Sequence, residues 1–197
     1  MKTNSKTKFK FEKALLMLLE KKHYHDITIN EICDAAKKSK MTFYRYYKDK
    51  EHLLAEASTN LINKEYVEAI EKIAKKETDF EEIGYQCYLK IYGILSDHYS
   101  QIENLIYKGD VFPLEIFEEA LLDNYKKYLT ENIDLSGYGI PNDIFTIFFF
   151  EGLFNSAMYN AKQLKISSNK EKVEEDCKKM CRLLTKIEKT IIGVNKL

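Results

Sequence analysis

The 197 residues carry 31 basic and 31 acidic side chains, and 45% are hydrophobic, enough for a sizeable core. Only 7 Gly and 2 Pro occur, which argues against an all-β fold built on many tight turns, and no apolar run approaches the ~20 residues of a membrane span. Four irregularly spaced cysteines form no disulfide framework, and the basic stretch from Met1 to Lys10 has no apolar h-region after it; both point to a cytoplasmic protein without a signal peptide.

In chain order the sequence reads as helices throughout. Four segments open with the spacing of a capping box, in which a hydroxyl and a Glu three residues on satisfy the free amides of a new helix. They are Thr28–Glu31, Thr78–Glu81, Ser100–Glu103 and Ser168–Glu171. The first helix is expected over about Lys6 to Lys21, with Phe11, Leu15, Leu18 and Leu19 on one face. The second runs from about Ile29 to Ala36 and places Ile29, Ile32, Cys33 and Ala36 at i, i+3, i+4 and i+7. A short third helix follows Ser39 and ends near Tyr47, and a fourth continues from Lys50 toward Lys75. Further helices are expected near 79–97, 101–107, 114–132, 142–164 and 169–191, with breaks at Gly109–Pro113, Ser136–Pro141 and Ser167–Asn169. The fold class is therefore all-α: an N-terminal three-helix domain joined by a long helix to a C-terminal helical bundle, about nine helices in all.

Charge divides the chain where the helices do. Residues 1–53 hold 13 Lys and Arg against 7 Asp and Glu, a net +6, so the remainder carries −6. A basic head on an acidic body suggests that only the head meets a polyanion. Its second and third helices are joined by only Lys37 to Ser39, the shape of a helix-turn-helix. With Phe43 and Tyr47 packed inward, the outer face of the third helix offers Lys40, Met41, Thr42, Tyr44 and Arg45. One α-helix fits a DNA major groove, where Arg45 or Lys40 could donate to guanine and Met41 could touch a thymine methyl. Thr42, Tyr44, Lys48 and Lys50 have the chemistry of phosphate contacts, and Thr28 and Asn30, at the start of the second helix, complete the candidate DNA-binding set.

The stretch Thr28 to Leu54 resembles the DNA-binding domain of the tetracycline-repressor (TetR/AcrR) family. Most specific is Thr42-Phe43-Tyr44-Arg45-Tyr46-Tyr47-Lys48-Asp49-Lys50-Glu51, ending in Leu53-Leu54. The resemblance covers roughly residues 5–65. It implies a homodimer whose C-terminal domain, residues 66–197, binds a small effector and releases DNA. It places the family's recognition positions on Lys40, Met41, Thr42, Tyr44 and Arg45 and its phosphate-contacting lysine on Lys50. The sequence departs from the family in the turn, where Lys37-Lys38 replaces a common Gly-Val, and at Met41, where Gly is common. Losing Gly removes easy access to positive φ, which leaves the turn open to remodelling, while the two lysines could add phosphate contacts.

Seven of the 25 Phe and Tyr precede residue 66, leaving 18 in the body. Tyr88, Tyr92, Phe112, Phe145 and Phe149 are candidate lining for an apolar or aromatic effector, although such stripes also build ordinary core. Glu151, after three phenylalanines, is open to three readings: paired with Lys or Arg, at a solvent edge, or facing a cationic ligand. Gly152, Ser156 and Asn160 form a small-residue row, and the last helix repeats Val173, Cys177, Met180, Cys181, Leu184, Ile187 and Ile191 at heptad-like spacing. Of these, Gly152, Ser156, Asn160, Cys177, Met180, Cys181 and Leu184 are the candidate dimerisation residues, two helices from each chain forming a four-helix interface. Cys177 and Cys181 could also suit a metal or redox switch, but no His lies near and buried thiols are common, so no metal site is assigned. No phosphate-binding Gly loop, metal-ligand pattern or nucleophile elbow occurs, and His23, His25, His52 and His98 form no constellation, so no enzyme and no cofactor are expected. The alternative to an effector-responsive repressor on a palindromic operator is a coactivator or interaction module of the same fold that does not touch DNA.

Overall fold

A computed structural model describes residues 2–76, 79–132 and 141–192, and among these only helices and connecting turns occur, with one isolated bridge between Tyr107 and Asp110. The contacts divide the chain into two compact units, Met1–Ile62 with Ser100–Leu121, and Asn63–Tyr99 with Leu122–Leu197.

In the first unit α1 spans Lys2–Leu19, α2 Ile29–Ala36, α3 Lys40–Tyr46 and α4 Lys50–Ile62, with a short 3-10 turn at Tyr24–Asp26. α2 begins with the expected capping box: the Thr28 hydroxyl accepts from the Glu31 amide at 3.3 Å, and the Glu31 carboxylate accepts from the Thr28 amide at 2.9 Å. Ser39 caps α3 by accepting from the Thr42 amide at 3.2 Å, and Asp49 caps α4 through the His52 amide at 2.8 Å. α1 packs on α2 and α4 through Phe11, Leu15 and Leu19, all buried. Two polar ties reinforce the α1–α4 contact: Lys8 pairs with Glu56 at 2.7 Å, and Asn60 donates to the buried Glu12 at 2.9 Å.

The turn between α2 and α3 is not remodelled. Lys37 itself takes the left-handed conformation at φ 53 and ψ 49. The Lys37 amide then reaches the Asp34 carbonyl and the Lys38 amide the Cys33 carbonyl, at 3.1 and 2.9 Å, the paired bonds of a Schellman cap. A side chain in this region costs roughly 1–2 kcal/mol relative to its right-handed form, a strain that these two bonds offset in part.

The expected fourth helix does not run uninterrupted. Its hydrogen bonding passes through a π-helical turn at Asn63–Val67 before α5, Glu68–Ala74. Beyond it come α6 Phe80–Asp97, α7 Tyr99–Glu103, α8 Phe112–Asn132, α9 Asn142–Ile166 and α10 Lys170–Ile192. Three expected caps differ. Thr78 lies outside the described residues, and α6 is capped by Asp79, whose carboxylate accepts from the Glu81 amide. Asn169 rather than Ser168 caps α10, accepting from the Lys172 amide at 3.0 Å. Helix α7 starts before Ser100, which therefore caps nothing. The first two shifts substitute an Asp or Asn adjacent to the hydroxyl, and both are strong capping residues. The expected break at 136–140 lies outside the described residues.

The second unit is built on α6, α9 and α10, which pack pairwise. α6 buries Tyr88, Ile91, Tyr92 and Leu95; α9 buries Phe145, Phe149, Phe150, Leu153, Phe154 and Ala157. The Tyr92 and Ser156 hydroxyls meet at 2.8 Å across α6 and α9, and Asn160 donates to the Val173 carbonyl at 3.3 Å. No helix among the described residues is long and apolar enough to cross a membrane.

Candidate nucleic-acid interface

The candidate interface rests on an aromatic wedge. Phe43 of α3 sits edge-on to Phe11 of α1 at 5.5 Å and lies 5.5 Å from Tyr47, which is itself 6.0 Å from Phe11. Phe43 is fully buried and Tyr47 nearly so, and these contacts fix the rotation of α3 about its axis. With that face turned inward, the other side of α3 points outward: Met41 is 76% and Tyr44 57% exposed, and Lys40 and Arg45 are exposed with them. Thr42 is half-buried, its hydroxyl 3.0 Å from that of Ser39. Thr28, Asn30 and Lys48 were also candidates, and all three are exposed. Lys40, Arg45 and Lys48 make no ion pair among the described residues, so their charges are available.

Lys50 is different. Its ammonium donates to the carbonyls of Tyr24 and Ile27 at 2.9 and 3.0 Å and lies 4.3 Å from the centre of the Tyr24 ring. Burial lowers its pKa. Two of its three N–H bonds are thus spent anchoring the 3-10 turn to the start of α4, a role that residue type and position alone did not reveal.

Glu31 ties the same region together. Its carboxyl is held down to about 2, first by the hydrogen bond from Lys22 and then by the amide and hydroxyl of Thr28. Because this lies below the ordinary glutamate value of ~4.3, the ionised box stabilises the head above that value. That contribution is lost as pH falls toward about 2. Thermal melts of the wild type and Glu31→Gln should therefore differ near neutral pH and converge in strong acid; a gap that stays constant with pH would refute the electrostatic origin.

Residues 100–121 add a clasp that no sequence signal marked. The Tyr24 amide donates to the Asn104 carbonyl and the Asn104 side chain donates to the Leu19 carbonyl, both at 2.8 Å. His25 meets Asp110 at 2.5 Å, and the Tyr107 ring lies against His23 and His25 at 5.1 and 5.6 Å. Lys108 and Gly109 both adopt positive φ to make the tight turn that presents Asp110. His25 and Asp110 are thus brought together from segments some 80 residues apart, and His98 lies 3.2 Å from Glu65.

Residues 13–57 match the model of the bacterial regulatory proteins of the tetR family. Over these residues the chain is similar to the tetR-family DNA-binding domain. Solved structures of the family share its fold along nearly its whole length. A TetR-family regulator from Syntrophomonas wolfei superposes with a TM-score of 0.67 at 17% identity, covering 97% of each chain. FadR from Bacillus subtilis, solved in complex with stearoyl-CoA, gives 0.61 at 15%, covering 94% of this chain and 99% of its own. A single-site variant of TetR from Acinetobacter baumannii, solved with minocycline, gives 0.57 at 10%, covering 93% and 96%. No curated protein matches the chain.

The remaining candidates fall into two groups. Tyr88, Tyr92, Phe145 and Phe149 are buried on the packed helices α6 and α9, with the last two rings 4.5 Å apart. Phe112 belongs to α8 and is 55% exposed, so it does not share their burial. Among the dimerisation candidates, Cys181 is wholly buried within its own chain, and Cys177 is half-buried beside it. Ser156 and Asn160 are likewise turned toward α6 and α10 of the same chain. Gly152 and Met180 are exposed, and Leu184 is half-buried. With Met180, other apolar side chains left open are Ile144, Ile147, Phe148 and Tyr159 on α9 and Leu183 and Ile187 on α10. The heptad reading merged side chains of α10 that the chain itself covers with side chains that it leaves exposed. Glu151 is exposed and accepts from Asn155 at 3.2 Å, which settles its three readings in favour of solvent.

Proposed function

We propose that this protein is a cytoplasmic, effector-responsive repressor that binds a palindromic operator as a homodimer. The carrying observation is the outer face of α3, on which Lys40, Met41, Tyr44 and Arg45 stand exposed over a rigid aromatic wedge. A cationic face with one hydroxyl and one apolar contact suits base edges and phosphates together. Lys48 reaches phosphate beside it, and Lys50 has one N–H bond left for the same purpose. The preserved turn favours this reading over an interaction module, since Lys37 supplies the helix-turn-helix geometry without glycine.

A single seven-residue helix contacts too few bases to select an operator, so two copies must be presented about one DNA turn apart. The exposed apolar side chains of α9 and α10 supply a self-complementary surface for that pairing, centred on Phe148, which is 73% exposed. Its burial against a second copy removes from water a ring that is largely exposed in the single chain. Effector binding belongs to the aromatic interior of α6 and α9, where Tyr92 and Ser156 offer hydroxyls among apolar walls. Relatives of the same fold, solved with stearoyl-CoA and with minocycline, support a small-molecule role for this interior.

The test is fluorescence anisotropy with a duplex from the gene's own upstream region and a shuffled duplex of equal length, over a salt series. Selective retention of the first, with affinity falling linearly in log salt, is the expected result. Equal affinity for both duplexes overturns sequence-specific regulation, and a monomer by sedimentation at operator-binding concentrations overturns the dimer.

A further inference from the structure

We propose that a groove between α6 and α10 binds a small phosphorylated anion, at a site separate from both the DNA face and the aromatic interior. The groove has a volume of about 390 Å³ and is lined by Tyr85 of α6 and by Lys178, Lys179, Arg182 and Lys186 of α10, together with Glu175 and Leu183. Four basic residues and one acidic residue thus line it, within a body whose net charge is negative.

The cations are not equivalent. Arg182 is built into place: its guanidinium lies 3.5 Å from the centre of the Tyr85 ring, and one nitrogen donates to Glu82 at 2.9 Å. Glu82 is held in turn by Gln86 at 2.7 Å, and these two donors, Gln86 foremost, keep its carboxyl below the usual range. Stacking and pairing leave the planar fork oriented, with further N–H groups free, so little rotamer freedom remains to be lost on binding. Lys179 is paired with Glu175. Lys178 and Lys186 stand one helical turn to either side of Arg182 and make no ion pair among the described residues. Like charges one turn apart repel, so the row Lys178, Arg182, Lys186 destabilises the helix until an anion covers it.

The spacing selects the class of ligand. Eight residues of helix span about 12 Å, so Lys178 and Lys186 bracket an anion with several charged oxygens along a short chain, and Arg182 meets its centre with a bidentate fork. The cavity lies at the lower end of the range for small-molecule sites of roughly 300–1,000 Å³. A nucleic acid fits less well: Glu171, Glu174, Glu175 and Asp176 are exposed on the preceding two turns of the same helix, where an extended phosphate backbone would run. A compact phosphorylated molecule avoids Glu171, Glu174 and Asp176, which do not line the groove, and meets only Glu175, which is paired with Lys179.

The test is isothermal titration of the full chain with inorganic triphosphate. The wild type should take up one triphosphate per chain, and Lys178→Ala/Lys186→Ala should weaken it at least tenfold. Both lysines are exposed, so a folded double variant is expected, and its circular dichroism checks that. Arg45→Ala should leave triphosphate binding unchanged, which separates this site from the head. The proposal is overturned by no binding at millimolar triphosphate, by undiminished binding in the double variant, or by a loss that follows Arg45 instead. It is equally overturned if the double variant weakens only a non-specific duplex, which would make the groove a DNA contact.

Discussion

Phe43→Ala should unfold the head and with it abolish operator binding. Phe43 is fully buried and touches both Phe11 and Tyr47 while carrying the recognition helix on its own backbone. Removing a buried phenylalanine ring costs roughly 3–5 kcal/mol, from lost transfer free energy and the cavity left behind. A unit of this size has little more than that in reserve, since small domains are stable by only about 5–15 kcal/mol. The loss should appear as a separate low-temperature transition in differential scanning calorimetry. The second unit, which has its own core on α6, α9 and α10, should keep its transition. A single unshifted transition would show that Phe43 is not the keystone.

Arg45→Ala should do the opposite: leave the fold intact and lose the operator. The side chain is exposed and makes no ion pair among the described residues, so the melting temperature should stay within the small range of surface substitutions. If Arg45 reads guanine in each half-site, each lost bidentate contact removes about 1–3 kcal/mol of discrimination. Specific affinity should then fall at least tenfold while binding to shuffled duplex changes little. Loss of specific and non-specific binding in equal proportion would reassign Arg45 to a phosphate contact. Unchanged operator affinity would remove it from the interface.

The head was legible in the sequence because its determinants are local. The spacing of Ile29, Ile32, Cys33 and Ala36 dictates which face of α2 turns inward, and Thr28 and Glu31 set where it begins. Phe43 and Tyr47 repeat one turn apart, so placing them inward forces Lys40, Met41, Tyr44 and Arg45 outward. In α10 the same reasoning did not separate its stripes. Cys177, Cys181 and Leu184 lie next to Met180, Leu183 and Ile187 on the helical wheel, and only the packing of α6 and α9 shows which of these stripes the chain itself covers.

By itself the sequence determined the all-α class, the helix-turn-helix, its outward face and the likeness of the head to the tetR family, since each depends on neighbours within a few turns of one helix. Tertiary structure alone decided three other things. It spent Lys50 on the carbonyls of Tyr24 and Ile27, joined His25 to Asp110, and stacked Arg182 on Tyr85. Each brings together residues separated by more than 20 positions, and no periodicity records such a meeting. A lysine or histidine carries the same chemistry whether it faces solvent, a phosphate or its own backbone; the fold chooses among them by which partner it places within hydrogen-bond reach.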